Sequence, residues 1–400
     1  MTSLDEPAGR LDALIAGLDF SQVRADLVRR LDVARVWAAA TSGDVSRLHT
    51  LTEELDSDHD RDWKVTATVG VAHTFVGDHR RGVSRLRAAE AVTRSLPLDE
   101  IPLDSLWDWA IIPGWLGEDV AEHRRRMAEL DRRFRSAGGP PVLVATAALF
   151  MGECARRDGR WRTAEALFTE SVEVSRACGV GAGQVLVRLA VQAAHRGDLD
   201  RATDLVRSAR AAFDQAGQDA WETQWVEHCL GILAAASGQV DRAVAAFRGV
   251  AHAPFVGRGC RDAMALSAFE LVEVLAGAGR SEESAAELSR LEARLDGIVD
   301  PFGLALVHRS RGLVEADVDA AVAEFETALA LHAVSDEPYH RARTQLVLGE
   351  RPRRHARPKA AREPLRSAHD TSGNWTPPGG RPGPAWNCGP AGDRSSPTAN

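Results

Sequence analysis

Hydrophobic positions along this chain recur with the period of amphipathic helices, in paired blocks joined by short turns, and the pairs repeat. The clearest copy reads Gly159, Arg160, Trp161, Arg162, Thr163, Ala164, Glu165, Ala166, Leu167, Phe168. Here glycine suits a helix end that needs positive φ, Ala164 admits a neighbouring helix, and Phe168 fills the space between the two. Aligned on that turn, the copies fall at Gly43, Gly77, a degenerate Gly117, Gly159, Gly197, Gly238 and Gly279, with Ala316 and Ala356 standing in for glycine. From Gly159 onward the turns lie 38, 41, 41, 37 and 40 residues apart. Five residues after the turn stand small residues such as Gly82, Ala164, Ala202, Ala243 and Ser284. Nine after it stand Leu86, Phe168, Val206, Phe247, Leu288, Phe325 and Leu365. Seven before it, Gly70, Gly152, Ala190, Gly231 and Gly349 mark where the helices of one hairpin cross closely, while Val272 and Arg309 break the rule.

These small and large residues at fixed offsets resemble the tetratricopeptide repeat (TPR), stretched beyond its usual unit. The resemblance implies an all-α, right-handed α-solenoid of helix-turn-helix hairpins whose stacked units bury their apolar faces and leave a concave groove. Residues 1–31 carry Leu11, Leu14, Ile15, Leu18, Val23, Leu27 and Leu31 at helical spacing and read as lead-in helices. Residues 32–371 form the repeat domain, and 372–400 a disordered tail rich in Gly and Pro.

Composition narrows the function classes. A formal net charge of -8 gives no general attraction to phosphate backbones, so direct nucleic-acid binding by this chain is not expected. Cys154, Cys178, Cys229, Cys260 and Cys388 form no CxxC pair and read as free thiols, which with the lack of a signal-peptide pattern points to the cytoplasm. The apolar run from Val142 to Met151 is far below the roughly 20 residues needed to cross a bilayer, so no membrane partner is expected.

The segment Ala328, Leu329, Ala330, Leu331, His332, then Asp336 to Arg351, resembles the last repeats of large LuxR-type transcriptional regulators. In that family an ATPase module precedes a TPR-like arm, and a helix-turn-helix domain closes the chain. The resemblance implies the arm alone. Neither Lys64 nor Lys359 follows a glycine-rich phosphate loop, and nothing after residue 371 supplies the two helices of a DNA reader. Pro352 and Pro358 are expected to interrupt the last hairpin. Reread one base earlier, the codons of Trp386, Asn387, Cys388 and Gly389 give a helical segment similar to the family's next helix. A frameshift near codon 371 that removed the DNA-binding domain is therefore expected.

No catalytic constellation is legible, and no cofactor or metal is expected. Asp56, Asp58, His59, Asp60 and Asp62 alternate like a calcium loop, but Arg61 and Ala67 occupy its glycine and glutamate positions, so a solvated loop is the reading. His228, Cys229, His252 and Cys260 match no ligand spacing. Trp107, Trp109 and Trp115 either line a pocket or fill core, and their size favours core. The basic run Arg351, Arg353, Arg354, Arg357, Lys359, Arg362 reads as a solvated segment. On first helices the resemblance places Glu153, Arg156, Gln184, Trp225, His228 and Glu273 in the concave groove, as candidate binding residues for a protein partner or small effector. The alternative to a regulator's arm is a free-standing TPR-like adaptor.

Overall fold

The structure is a computed structural model that describes residues 25–42, 44–56, 62–117, 119–179, 181–216, 220–253, 262–295, 300–335, 337–354 and 358–372. The expected lead-in helices before residue 25, the tail after Ser372, Asp58 to Asp60 of the acidic loop, and Cys260 lie outside the described residues.

Among the described residues eighteen α-helices pair into nine hairpins, and there is no strand. The first four hairpins are α1 (Ala25–Ser42) with α2 (Val45–Asp56), α3 (Trp63–Phe75) with α4 (His79–Ser95), α5 (Leu106–Leu116) with α6 (Val120–Ser136), and α7 (Pro141–Arg157) with α8 (Trp161–Ala177). Next come α9 (Gly183–His195) with α10 (Leu199–Ala216), α11 (Ala220–Ala236) with α12 (Val240–Ala251), and α13 (Ala263–Gly277) with α14 (Ser281–Arg294). The last two are α15 (Pro301–Val314) with α16 (Val318–Ser335) and α17 (Pro338–Arg354) with α18 (Pro358–Ser372). A single helix, α1, runs across residues 31 and 32.

The repeated turn has one construction. Gly159 sits at φ 74°, which lets Arg160 N–H donate back to Ala155 O at 2.9 Å and close the carbonyls that the helix end leaves open. The same backward bond joins Asp78 to His73, Asp198 to Ala193, Gln239 to Ala234 and Arg280 to Leu275. Where aspartate follows the glycine it also starts the next helix, as when Asp78 accepts from Arg81 N–H at 3.1 Å.

The helices of a hairpin cross at glycine because a bulky side chain lies over it. A Cβ on Gly152 would stand 2.5 Å from Phe168 Cε1, and one on Gly349 2.6 Å from Leu365 Cγ. Gly152→Ala is therefore expected to destabilise by about 1–3 kcal/mol through overpacking. Gly249, exposed on α12 with nothing within 4 Å, should respond with the opposite sign. Gly249→Ala is expected to stabilise by about 0.5–1 kcal/mol. Urea midpoints of the two variants measure the contrast, and equal shifts would remove the close-crossing account.

Two expectations need correction. Pro352 and Pro358 do not break the last hairpin: α17 continues to Arg354, and Pro358 is the first residue of α18, where its missing N–H has no helical partner to lose. Arg309 is not the crossing residue of its hairpin. Gly312 is, with a hypothetical Cβ 2.6 Å from Phe325 Cε1. The interval from Gly312 to Phe325 is 13 residues, against 16 from Gly152 to Phe168. This turn lacks the left-handed glycine, and Glu315 leaves α15 in extended conformation at ψ 131°. At Val272 the space is made by the other helix, where Ser284 donates to the Val272 carbonyl at 2.9 Å.

First helices of successive hairpins pack on one another, α1 on α3, α9 on α11, α11 on α13 and α13 on α15, and form the inner layer. The solenoid also closes on itself. Helix α1 touches α11, His79 of α4 shares a small cavity with Leu291 and Arg294 of α14, and Trp161 of α8 packs on Tyr339 of α17 with centroids 5.5 Å apart. These contacts join the first hairpin to the sixth, the second to the seventh and the fourth to the ninth. About five hairpins thus complete a turn, and adjacent turns touch.

Candidate functional site

Polar residues on otherwise apolar first helices form a row along the inner layer. Helix α9 shows the origin: its stretch from Gly183 to His195 is apolar apart from Gln184, Arg188, Gln192 and the terminal His195. Gln184, Arg188 and Gln192 recur every four residues, so they share one face.

The row has two charged clusters. In the first, Glu153 of α7 pairs with Arg156 at 2.9 Å and with Arg188 Nε at 3.4 Å. Burial pushes the Glu153 carboxyl up, but the charges of Arg156 and Arg188 outweigh it and hold it below its ordinary range. The Arg188 guanidinium lies 3.7 Å from the centroid of the Trp225 ring, a stacked cation–π contact. In the second cluster, Arg343 of α17 donates through both Nη atoms to Glu270 and also pairs with Glu273 at 2.8 Å, while Arg309 of α15 reaches Glu273 at 3.3 Å. Burial favours neutral Glu270, yet the charge and hydrogen bonds of Arg343 take its pKa down to about 2. His195 stacks on Tyr339 with centroids 4.5 Å apart, and burial keeps that imidazole neutral well below its ordinary pKa.

Each cluster faces a hollow. One cleft of about 410 Å³ is lined by Trp37, Trp107, Trp115, Phe150, Glu153, Gln184 and Arg188 among others. It runs into a smaller hollow that adds His123, Arg157, Trp225 and Asp262. A separate cavity of about 100 Å³ is lined by His195, Glu270, Glu273, Tyr339 and Arg343, with apolar Ile232 and Phe325.

The six candidates divide among these places. Glu153 and Gln184 line the large cleft, Trp225 its extension, and Glu273 the second cavity. Arg156 stands behind Glu153 and lines none of these three hollows. His228 is buried, with Nδ1 2.8 Å from Ser267 Oγ, and burial lowers its pKa to about 4. Arg188, Glu270, Tyr339 and Arg343 complete the clusters without having stood among the candidates. The usable signal was a charged residue one helical turn from another on an apolar inner helix.

The tryptophans separate as well. Trp109 is core and stacks on Arg126, whereas Trp107 and Trp115 are half-buried at the cleft. Arg351 is not free in solvent but donates to the carbonyls of Glu315 and Ala316. Asp56 pairs with Arg85 at 2.6 Å, and His252 Nε2 lies 2.8 Å from Glu287. Among the described residues no three His, Cys, Asp or Glu side chains group as metal ligands. Burial pushes the thiols of Cys154 and Cys229 up to about 11 and 12, far from a reactive thiolate. No helix of the described residues is long and apolar enough to cross a membrane.

The fold and its inner layer define a TPR-like helical-repeat protein. Among solved structures the chain is similar to a Rap protein complexed with Competence and Sporulation Factor, at 10% identity and a TM-score of 0.63, covering 87% of this chain and 98% of that one. It is also similar to the apo form of the quorum sensor NprR from B. thuringiensis, at 12% identity and a TM-score of 0.47, covering 87% of this chain and 99% of that one. No family model and no curated protein matches the chain.

Proposed function

We propose that this chain is a non-enzymatic adaptor of the cytoplasm that holds a segment of a partner protein against the inner layer of its solenoid. The observation that carries the reading is the row itself. Two ionic clusters and a large aromatic cleft lie on the face that a solenoid offers to partners, and the hydroxyl–imidazole pair of Ser267 with His228 is sealed in the interior and lines none of the three hollows. The Rap protein of similar fold was solved with a factor bound, which supports the reading.

Selection of binders from a random peptide library, followed by cross-linking to locate them, tests it. Trp225 is deeply buried, so alanine there would lower stability and blur the result. Trp225→Phe keeps an aromatic ring beside Arg188 and removes the indole N–H together with part of the ring system. Its expected effect is binding weakened about three- to tenfold, with the melting temperature within a few degrees of the parent. Binders that cross-link only to the outer helices would remove the groove from consideration.

A second reading draws on the resemblance of residues 320–368 to LuxR-type regulators, which makes the chain the TPR-like arm, residues 32–371, of a transcriptional regulator that binds a small effector or partner. Under it the reading frame changes near codon 371. Translation of the alternate frame should then yield a helix-turn-helix domain, and the upstream sequence an ATPase. A stop within a few codons rejects this reading and leaves the adaptor.

A further inference from the structure

The large cleft has an apolar end and a polar end, and each restricts what fits. Its apolar end is built by Trp37 of α1, Trp107 and Trp115 of α5 and Phe150 of α7, all half-buried. Trp107 meets Phe150 edge-on at 5.0 Å between centroids, while Trp115 stands 6.5 Å from Trp37. A volume of about 410 Å³ is within the range of ligand sites.

At the polar end three buried atoms lack hydrogen-bond partners. Arg188 Nη1 and Trp225 Nε1 have no acceptor, and Glu153 Oε1 has no donor although Arg188 Nε stands 3.4 Å away. Leaving such groups unmet costs about 1–3 kcal/mol each, so a guest that satisfies them gains affinity. What is missing is an acceptor able to take two N–H groups, next to a donor. One residue of an extended peptide supplies both on the same side of the strand, its C=O accepting through two lone pairs and its own N–H donating.

Charge decides against an ionic guest. At this polar end Glu153 and Asp262 face Arg157 and Arg188, and Arg156 beside Glu153 is matched by nearby Glu337, so three carboxylates balance three guanidiniums; Asp108, on the wall of the apolar end, is already engaged within the fold. Burying a further carboxylate or ammonium here would leave it uncompensated.

We infer that the cleft is a side-chain pocket for an extended peptide, taking one large uncharged apolar residue between Trp37, Trp107, Trp115 and Phe150 and the backbone N–H and C=O of a residue beside it on Glu153, Arg188 and Trp225. This rests on the adaptor reading and specifies the residue the partner must present.

The test uses the full chain and fluorescein-labelled, end-blocked peptides Gly-Gly-X-Gly-Gly with X as Phe, Leu, Ala, Asp or Lys, read by fluorescence polarisation. The Phe and Leu peptides are expected to bind about tenfold more tightly than the other three. Trp107→Ala should abolish that preference and Trp107→Phe should keep it, while Arg188→Gln should weaken the Phe and Leu peptides about fivefold or more without changing their order. The inference is overturned if no peptide binds, if Asp or Lys is preferred, or if the preference survives Trp107→Ala. The adaptor reading fails separately: library binders that cross-link elsewhere on the inner layer would preserve it without this pocket, whereas a library without binders would remove both.

Discussion

Replacing Arg343 by methionine should cost about 3–5 kcal/mol, because it strands a buried carboxylate. Arg343 donates to Glu270 through both Nη atoms and pairs with Glu273 at 2.8 Å. Glu273 keeps Arg309, but Glu270 has no second arginine within ion-pair distance among the described residues. With the arginine gone, only the more distant charge of Arg309 and the neighbouring His228 oppose burial at Glu270, and its carboxyl must either take a proton or bear a poorly compensated charge. Glu270→Gln in the same chain should restore most of the loss, since an amide is far cheaper to bury than an unpaired ion. Urea unfolding of the two single variants and the double variant gives the coupling, for which about 2 kcal/mol or more is expected. Additive effects would show that the pair is incidental to stability.

Acid should unfold this protein well before its carboxylates titrate. His228, His332 and His340 are buried and neutral in the fold. Burial lowers His228 to about 4 and His332 to about 3, with neighbouring arginines adding to the shift at His332, and burial takes His340 well below its ordinary value. In the unfolded chain each would bind its proton near pH 6.5, so as pH falls below that point the unfolded state gains protons that the folded state refuses. The stability they support is complete above pH 6.5 and is lost downward, ending near pH 4 for His228 and near pH 3 for His332. At about 1.4 kcal/mol per pH unit for each group, three such groups cost roughly 6 kcal/mol between pH 6.5 and 5. That rivals the whole stability of many domains. Glu270 adds to the loss only below its unfolded pKa of 4.5, down to about 2. Helical signal against pH in mild urea reads this directly. His228→Gln should shallow the slope between pH 6.5 and 5, and stability unchanged down to pH 5 would reject the assignment.

What the sequence showed in advance was local. The offset of nine residues from the turn position identifies the side chains that cover Gly152 and Gly349, because both partners lie in one hairpin and helix geometry fixes their distance. The same rule misplaced the crossing at Arg309, since it assumed a left-handed turn where Glu315 is extended. Proline was read as a breaker at Pro358, although at a helix start its missing N–H costs nothing. The candidate site was legible as a face but not as a cluster. Periodicity put Glu153 and Trp225 on inner helices, yet it carried no information that Arg343 reaches Glu270, 73 residues earlier, or that Arg188 bridges Glu153 and Trp225. Those meetings depend on the superhelical twist between hairpins, which small packing differences set and no single repeat encodes.

The contact of each turn with the next changes how the molecule should come apart. A linear array, in which units touch only their neighbours, frays from its ends through a series of partly melted species. Here the packing of Trp161 on Tyr339 and of α1 on α11 ties hairpins far apart in the chain. Melting one of them withdraws support from a remote part of the chain as well as from its neighbours. The loss of structure should therefore be concerted, with amide protons of early and late hairpins exchanging through one shared opening. Assembly should be correspondingly slow for an all-helical chain, because contacts of such sequence separation must close before the stack is secure.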